Sequence, residues 1–296
     1  MLSSVVCRYE HWSTDWFKDW MPRLGLSSEP VGAQIHRKHW EFCAIGHALE
    51  ERGFLQPGKR GLCFAAGREF LPSAFAALGC EILATDYAEQ QHWAGQHANS
   101  RADLFYESIV SQELFDRHVK FQTADMRNIQ GIEPESFDFL WSSCAFEHLG
   151  SLEAGMNFVA NAMRYLRSGG IAVHTTEFNL SSNDKTIARG ANVIYRRRDI
   201  EELERRLRKI RCGLEPVDFF GGCHPFDLDY EASPFFPNDK PQIKLALEGF
   251  VCTSILLIIH KAAEQGEGKR PPGVTLLRRA GRYAKRRFSM LRPGGA

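Results

Sequence analysis

Hydrophobic and polar positions along residues 59–260 alternate in blocks that predict strands separated by helices. Short apolar runs at residues 61–66, 81–85, 119–123, 137–142 and 171–176 are typical of buried strands, and a last strand is expected at 250–260. Helical spacing of apolar residues follows the capping serine Ser151 and, further along, a capping-box pattern at Asp199 and Glu202. This alternation predicts an α/β fold with a doubly wound, parallel sheet.

Two flanking segments depart from this pattern. Residues 1–57 place Trp12, Trp16 and Trp20 on one helical face, and residues 36–53 are expected to form a second helix. We interpret 1–57 as an N-terminal helical cap that packs its aromatic side chains onto the main domain, 58–261. A lid over a ligand site is an alternative compatible with it. Residues 262–296 combine a linker composition with a basic amphipathic tail at 274–291.

Charge is unevenly distributed along the chain. The 296 residues have a formal net charge of +1, yet nine basic residues and no acidic one lie from Gly268 onward, so the body is mildly acidic. The eight cysteines form no C-x-x-C pair and no metal-ligand spacing, and several lie in apolar runs. We expect a cytoplasmic protein without a signal peptide, a membrane span, a metal site or a nucleic-acid partner.

The most informative stretch joins the first two predicted strands. A buried strand runs into a small-residue turn that ends at Gly67, a helix follows, and the next strand ends at Asp86. Such a turn lets the backbone approach a ligand closely, and the carboxylate can bind two ribose hydroxyls. The stretch therefore predicts a site for a nucleotide-type cofactor. It lacks the G-x-G-x-x-G fingerprint of dehydrogenases.

The order of motifs over residues 60–180 resembles the class I S-adenosylmethionine-dependent methyltransferases. The turn 61–67 stands in the place of that family's acid-x-G-x-G-x-G loop, and residues 137–149 are similar to its fourth strand and the loop that faces the transferred methyl. Residues 166–173 resemble its L-x-x-G-G entry into the fifth strand. The resemblance implies a Rossmann-like sheet and S-adenosyl-L-methionine as methyl donor. It implies cofactor contacts from Ala65, Gly67, Asp86, Tyr87, Asp125, Met126 and Ser142.

The first motif departs from the family pattern. Gly61 replaces the acid that helps to hold the cofactor's amino group, and Cys63 and Ala65 replace two of the glycines. We expect Ala65 to be tolerated if its φ angle stays negative. An inactive scaffold with this fold remains an alternative to an enzyme.

Three residues are candidates for the chemistry. His148 suits a general base because histidine titrates near neutrality, and Glu147 could orient it or the substrate. Glu177, at the end of the fifth predicted strand, could hydrogen-bond the acceptor. For Glu147 and His148 the alternative is that they cap the next helix or close the cofactor pocket, and for Glu177 it is that the side chain caps a loop.

A weaker resemblance concerns residues 174–183, 196–200 and the loop at 224–225. These segments look like bacterial methyltransferases of surface-polysaccharide and glycoconjugate synthesis. The resemblance implies O-methylation of a sugar hydroxyl on a glycan or lipid-linked glycan; a small-molecule acceptor is the alternative. The basic tail is then expected to contact the inner face of the membrane peripherally. A solvated tail, or a helix that docks on a partner protein or on the acidic body, is the alternative.

Overall fold

The structure is a computed structural model and describes residues 1–87, 96–232 and 240–263. Met1–Glu264 form one compact unit. The helices of the described residues are α1 Asp15–Arg23, α2 Arg37–Glu50, α3 Leu71–Ala77, α4 Gln112–His118, α5 Leu152–Ala162, α6 Arg197–Lys209 and α7 Pro225–Leu228. The strands are β1 Ser4–Val6, β2 Arg60–Cys63, β3 Glu81–Asp86, β4 Val119–Thr123, β5 Phe137–Ser143, β6 Leu166–Asn179, β7 Cys212–Leu214, β8 Val217–Asp218, β9 Glu231–Ala232, β10 Leu245–Leu247 and β11 Phe250–Lys261.

Within the described ranges, these eleven strands form one sheet with the central order β4-β3-β2-β5-β6-β11-β1-β8. The first five strands of that order pair in parallel, and β11 then pairs antiparallel with β6. Helices cover both faces, which is why β11 is apolar on consecutive positions from Ile255 to Ile259, all fully buried. The predicted α/β, doubly wound sheet is therefore confirmed.

The first 57 residues do more than form a helical cap. Their first strand, β1, joins the central sheet between β11 and β8, with Val5 opposite Leu256. Helices α1 and α2 follow, and the ring of Trp20 is buried while its Nε1 donates to Glu50 at 3.1 Å. The helix-only prediction for this segment missed β1 because three residues are too few to give a periodic signal.

The predicted start of one helix is confirmed, and the predicted start of another is displaced. Ser151 accepts from the amide of Ala154 at 3.1 Å and begins α5 as expected. Helix α6 begins after Arg196, so Asp199 is its third residue rather than its cap, and accepts from the amide of Arg196 at 2.9 Å. All eight cysteines are free, and Cys223 alone among them is exposed.

No helix among the described residues has the length and apolar composition needed to cross a membrane. The predicted amphipathic tail, 274–291, lies outside the described residues, as does most of the predicted linker.

Candidate functional site

A cavity of about 660 Å³ opens at the carboxyl ends of the parallel strands. The strand order reverses there between β2 and β5, which is where ligands bind in open α/β sheets. Its lining comes from α2, from the ends of five parallel strands and from β10. The lining residues are Arg37, Lys38, Phe42, Ala65, Ala66, Gly67, Arg68, Glu69, Asp86, Tyr87, Gln96, His97, Ala124, Asp125, Met126, Ser143, Cys144, Ala145, Glu147, His148, Leu149, Glu177, Asn192, Leu245 and Leu247.

The turn after β2 lines the cavity, and two of its residues, Ala65 and Gly67, have backbone dihedral angles in the left-handed region. Gly67 has φ +53°, and a Cβ placed on it would lie 3.0 Å from the carbonyl oxygen of Gln96. Glycine is required here by both conformation and space. Ala65 has φ +52°, so the condition under which an alanine would be tolerated here, a negative φ, is not met. Ala65 therefore adopts a backbone conformation that is unfavourable for a residue with a Cβ atom.

Asp86 ends β3 and lies 5% exposed at the cavity wall. Its Oδ2 accepts from the amides of Gly67 at 2.9 Å and Ala98 at 2.8 Å, and its Oδ1 accepts from the amide of Tyr87 at 2.7 Å. The Nδ1 of His97 lies 3.6 Å from Oδ1. A carboxylate oxygen has two lone pairs, so Oδ1 keeps the capacity to accept from a ligand hydroxyl.

The other predicted cofactor contacts divide into two groups. Tyr87, Asp125 and Met126 line the same cavity, and Asp125 is held by a 2.8 Å ion pair with Arg127, which lowers its pKa through the side-chain hydrogen bond. Ser142 does not line it. Its side chain is fully buried in the interior and its Oγ lies 2.8 Å from Nδ1 of His174.

Glu147 and His148 follow β5 in a short 3₁₀ turn at the cavity. Glu147 is fully buried; its Oε2 accepts from Thr176 at 2.9 Å, while its Oε1 has no hydrogen-bond partner within the described part of the chain. Burial raises the pKa of this carboxyl, opposed by nearby His148. The Nδ1 of His148 lies 3.0 Å from the carbonyl oxygen of Ala191.

Helix α2 contributes a charged network that the sequence did not reveal. Arg37 binds Glu177 with its Nη2 at 2.6 Å and reaches Glu41 with its Nη1 at 3.3 Å. Glu41 is fully buried and also accepts from Lys38 at 3.2 Å, from Thr175 at 3.1 Å and from other hydroxyl and thiol donors. Burial opposes its ionisation, but Lys38 and Arg37 outweigh that and lower its pKa to about 2. The network anchors α2 to the sheet and places two cations at the cavity.

Glu69 is a second feature that the sequence reading missed. It lies two residues after Gly67, is 5% exposed and lines the cavity. Its Oε1 accepts from Nε1 of Trp141 at 2.5 Å and from the thiol of Cys63 at 3.2 Å. Burial raises its pKa to about 7. The only sequence signal was an acid placed just beyond the turn.

A group of possible metal ligands also faces the cavity. Cys144, Glu147 and Glu177 each place one ligand-type atom within 4.8 Å of the others. The guanidinium of Arg37 already binds Glu177 and lies 3.8 Å from the Sγ of Cys144, whose pKa is raised by burial. A resident cation and a protonated thiol disfavour a metal ion, so the group is better organised to receive hydrogen-bond donors.

Comparison with known proteins identifies the central domain. Residues 62–174 match a family model described as a methyltransferase domain. The chain therefore carries a methyltransferase domain. S-adenosylmethionine is the methyl donor that the order of motifs implies, and the cavity can be compared with it. The comparison with curated proteins found no match.

Three solved structures illustrate the proteins to which this chain is similar. One is a protein from Galdieria sulphuraria, proposed to be a sarcosine dimethylglycine methyltransferase, with 21% identity and a TM-score of 0.35. The match covers 50% of this chain and 48% of that protein, so this chain spans about half of its length. A Burkholderia thailandensis 1,6-didemethyltoxoflavin-N1-methyltransferase, solved with S-adenosylhomocysteine, is 18% identical over 76% and 78%, with a TM-score of 0.45. A Mesorhizobium loti S-adenosylmethionine-dependent methyltransferase is 14% identical over 72% and 96%, with a TM-score of 0.46.

The residues of the methyltransferase cavity fit this cofactor. Gly67 leaves room for close approach of a ligand to the backbone, Asp86 has accepting capacity for ribose hydroxyls, and Met126 offers an apolar surface that is 7% exposed. Asp125 lies beside it, and both of its carboxylate oxygens accept from Arg127, so a ligand amino group would have to displace part of that contact. These residues would hold the nucleoside half of the cofactor at the ends of β2, β3 and β4.

Proposed function

We propose that this domain methylates an oxygen, the hydroxyl of a sugar on a glycan or lipid-linked glycan, and releases S-adenosylhomocysteine. One observation carries the proposal. The Oε1 atom of Glu147 is buried, lines the cavity and lacks a hydrogen-bond partner among the described residues. A hydroxyl donor would satisfy it, and leaving such an oxygen unpaired is unfavourable.

The proposed chemistry needs few groups. S-adenosylmethionine, when bound, supplies a methyl group on a sulfonium that is already activated for displacement. Glu147 accepts the proton of the acceptor hydroxyl, and its raised pKa suits a base that must take up a proton. Glu177, fixed by Arg37 at 2.6 Å, accepts from a neighbouring hydroxyl and orients the acceptor. His148 stands within 3.9 Å of Glu147 as the alternative base.

The remaining walls suit a polar ring with apolar faces. Phe42 from α2 and Leu245 and Leu247 from β10 line the cavity together with the two carboxylates. Sugars present both hydroxyls and C–H faces, which such a mixed lining accommodates.

Incubation of the full chain with S-adenosylmethionine labelled on the methyl group tests the proposal. Fractionated cell-envelope glycans and a pool of small metabolites are offered in parallel, with Glu147→Gln as the matched control. Label in a glycan fraction, lost with Glu147→Gln, supports a sugar hydroxyl. Label only among the small metabolites would favour a metabolite methyltransferase, and cofactor binding without any label transfer would favour a scaffold.

The basic tail leads to a second proposal about location. Residues 274–291 lie outside the described residues, so this proposal rests on their sequence alone, in which arginines surround an apolar stripe. A short basic amphipathic helix can lie on an anionic surface, and each basic residue there contributes about 1 kcal/mol that salt weakens. We propose that the tail holds the protein near a membrane. Sedimentation with anionic vesicles at low salt, with and without residues 270–296, tests it; equal pelleting of both forms contradicts it.

A further inference from the structure

The place where the family carries an acid has no room for one in this chain. A Cβ built on Gly61 would clash with the ring of Phe139 and approach the side chain of Ile82 to 2.9 Å. The backbone at Gly61 is paired on both sides, with Ile82 in β3 and Phe139 in β5. No side chain from position 61 reaches the cavity. A carboxylate for a positive group of the cofactor must come from elsewhere.

Glu69 lies just after the turn, and it lines the cavity. It lies directly after the segment Ala65–Arg68, every residue of which lines the cavity. The indole of Trp141 and the thiol of Cys63 both bind its Oε1, so the carboxyl group is fixed in place. Trp141 and Cys63 are neutral donors, so within these contacts the charge of an ionised Glu69 is not neutralised.

We infer that Glu69 binds the ammonium group of the cofactor's amino-acid end. A buried carboxylate beside the glycine turn is stabilised by a cation, and the ammonium is the charge that S-adenosylmethionine and S-adenosylhomocysteine share. Glu69 therefore takes the function for which position 61 has no space. Lys38, which also lines the cavity and bears a positive charge, is placed to bind the carboxylate of the same amino-acid end.

The surroundings of Glu69 give this binding a pH dependence. The charged and titratable groups that influence it are Lys38 and Glu41 on α2, Cys63 on β2, and Tyr106. Burial raises the pKa of Glu69 to about 7, so in the free protein its carboxyl group is partly protonated near neutral pH. A bound ammonium favours the carboxylate and displaces that proton. Affinity therefore rises as pH increases through about 7 and falls below it.

Calorimetry with S-adenosylhomocysteine and 5′-methylthioadenosine tests the inference without any acceptor. The second ligand has the same nucleoside but no amino-acid end. Glu69→Gln is expected to weaken S-adenosylhomocysteine at least about tenfold, the effect of losing a charge-assisted hydrogen bond, and to leave methylthioadenosine unchanged. Equal loss for both ligands, or for neither, overturns it. Glu113→Gln, an exposed site on α4, is the matched control.

The native protein provides a test that needs no variant. Binding of S-adenosylhomocysteine near pH 7 is expected to release a measurable fraction of a proton, seen as a dependence of the heat on buffer ionisation, whereas methylthioadenosine releases less. Glu147→Gln should retain this release, because Glu147 is assigned to the acceptor. Absence of proton release, or its loss with Glu147→Gln instead of Glu69→Gln, contradicts the assignment. S-adenosylmethionine weakened far more than S-adenosylhomocysteine by Glu69→Gln would move the contact to the sulfonium.

Discussion

The Oδ2 atom of Asp86 accepts a hydrogen bond from the backbone amide of Gly67 at 2.9 Å. This contact ties the end of β3 to the turn after β2, so one carboxylate fixes the shape of the turn and faces the cavity. Asp86 is therefore both a structural residue and a candidate ligand contact. Substitutions at this position must separate the two.

For Asp86, we expect Asp86→Ala to reduce affinity for S-adenosylhomocysteine by about a hundredfold or more, since charge-assisted hydrogen bonds to ribose are lost. The same change leaves the amides of Gly67, Tyr87 and Ala98 without their acceptor, at about 1–3 kcal/mol for each amide that stays buried and unsatisfied. Asp86→Asn keeps an accepting oxygen and should retain more stability. Calorimetry and thermal unfolding of both variants check this, and unchanged affinity in both would misplace the ribose.

For Glu147, we expect Glu147→Gln to slow turnover by about a hundredfold or more, the usual contribution of a general base. A base must be deprotonated, so kcat of the native enzyme should rise with pH through the raised pKa of Glu147, and the variant should lose that limb. A pH–rate profile at saturating acceptor is the measurement. Retention of the limb in the variant would move the base elsewhere.

His148 is the rival base. If it accepts the proton, His148→Ala slows turnover by about a hundredfold while cofactor affinity stays nearly intact. If it only closes the pocket beside Ala191, cofactor affinity falls together with turnover. Turnover and calorimetry on the same preparation distinguish the two, and equal turnover in His148→Ala assigns the proton to Glu147 or Glu177.

For Glu41, we expect Glu41→Gln to destabilise the protein by about 3–5 kcal/mol, because Arg37 and Lys38 lose a buried counter-charge. The pKa of Glu41 falls from 4.5 to about 2 on folding, so its stabilisation is present above pH 4.5 and is lost as pH falls toward 2. Urea unfolding of both proteins between pH 7 and 2.5 measures this. The difference between them should shrink in acid; a constant difference would contradict the linkage.

For Ala65, we expect Ala65→Gly to stabilise the protein by up to about 1 kcal/mol. The left-handed conformation costs an alanine about 1–2 kcal/mol, and the greater freedom of glycine in the unfolded chain offsets part of that gain. Thermal unfolding measures the effect, with Ala66→Gly as the neighbouring control at a position whose φ is not positive. Destabilisation by Ala65→Gly would mean that its methyl group contributes more packing than strain.

The sequence predicted the parallel strands, the helices between them and one edge of the cavity, because all of these follow from local signals. Gly67, Asp86, Asp125 and Glu147 each end or follow a parallel strand, and such ends share one edge. Ser142 was misplaced by one residue, since successive side chains of a strand face opposite sides and Ser143 is the one that lines the cavity.

Contacts between residues that lie far apart in the sequence could not be predicted in the same way. Glu41 binds Ser143 and Ser254, which lie 102 and 213 residues further along the chain. The spacing of charges in α2 does not reveal these contacts, because charges at helical spacing look alike whether water or protein covers them. Glu69 was missed for a related reason. The sequence shows that position 61 lacks the family's acid but not that Phe139 leaves no space for one. That clash becomes visible only when β2 and β5 are paired in the sheet.

The match to the methyltransferase family ends at residue 174, yet the cavity does not. Arg37, Lys38 and Phe42 enter it from upstream, and Glu177, Leu245 and Leu247 from downstream. A chimaera that exchanged only residues 62–174 with another methyltransferase would replace most cofactor contacts and Glu147, and would keep the part of the acceptor wall that Phe42, Glu177, Leu245 and Leu247 form. Acceptor preference should therefore travel with the flanking segments, and grafting them together onto a foreign core is the way to transplant it.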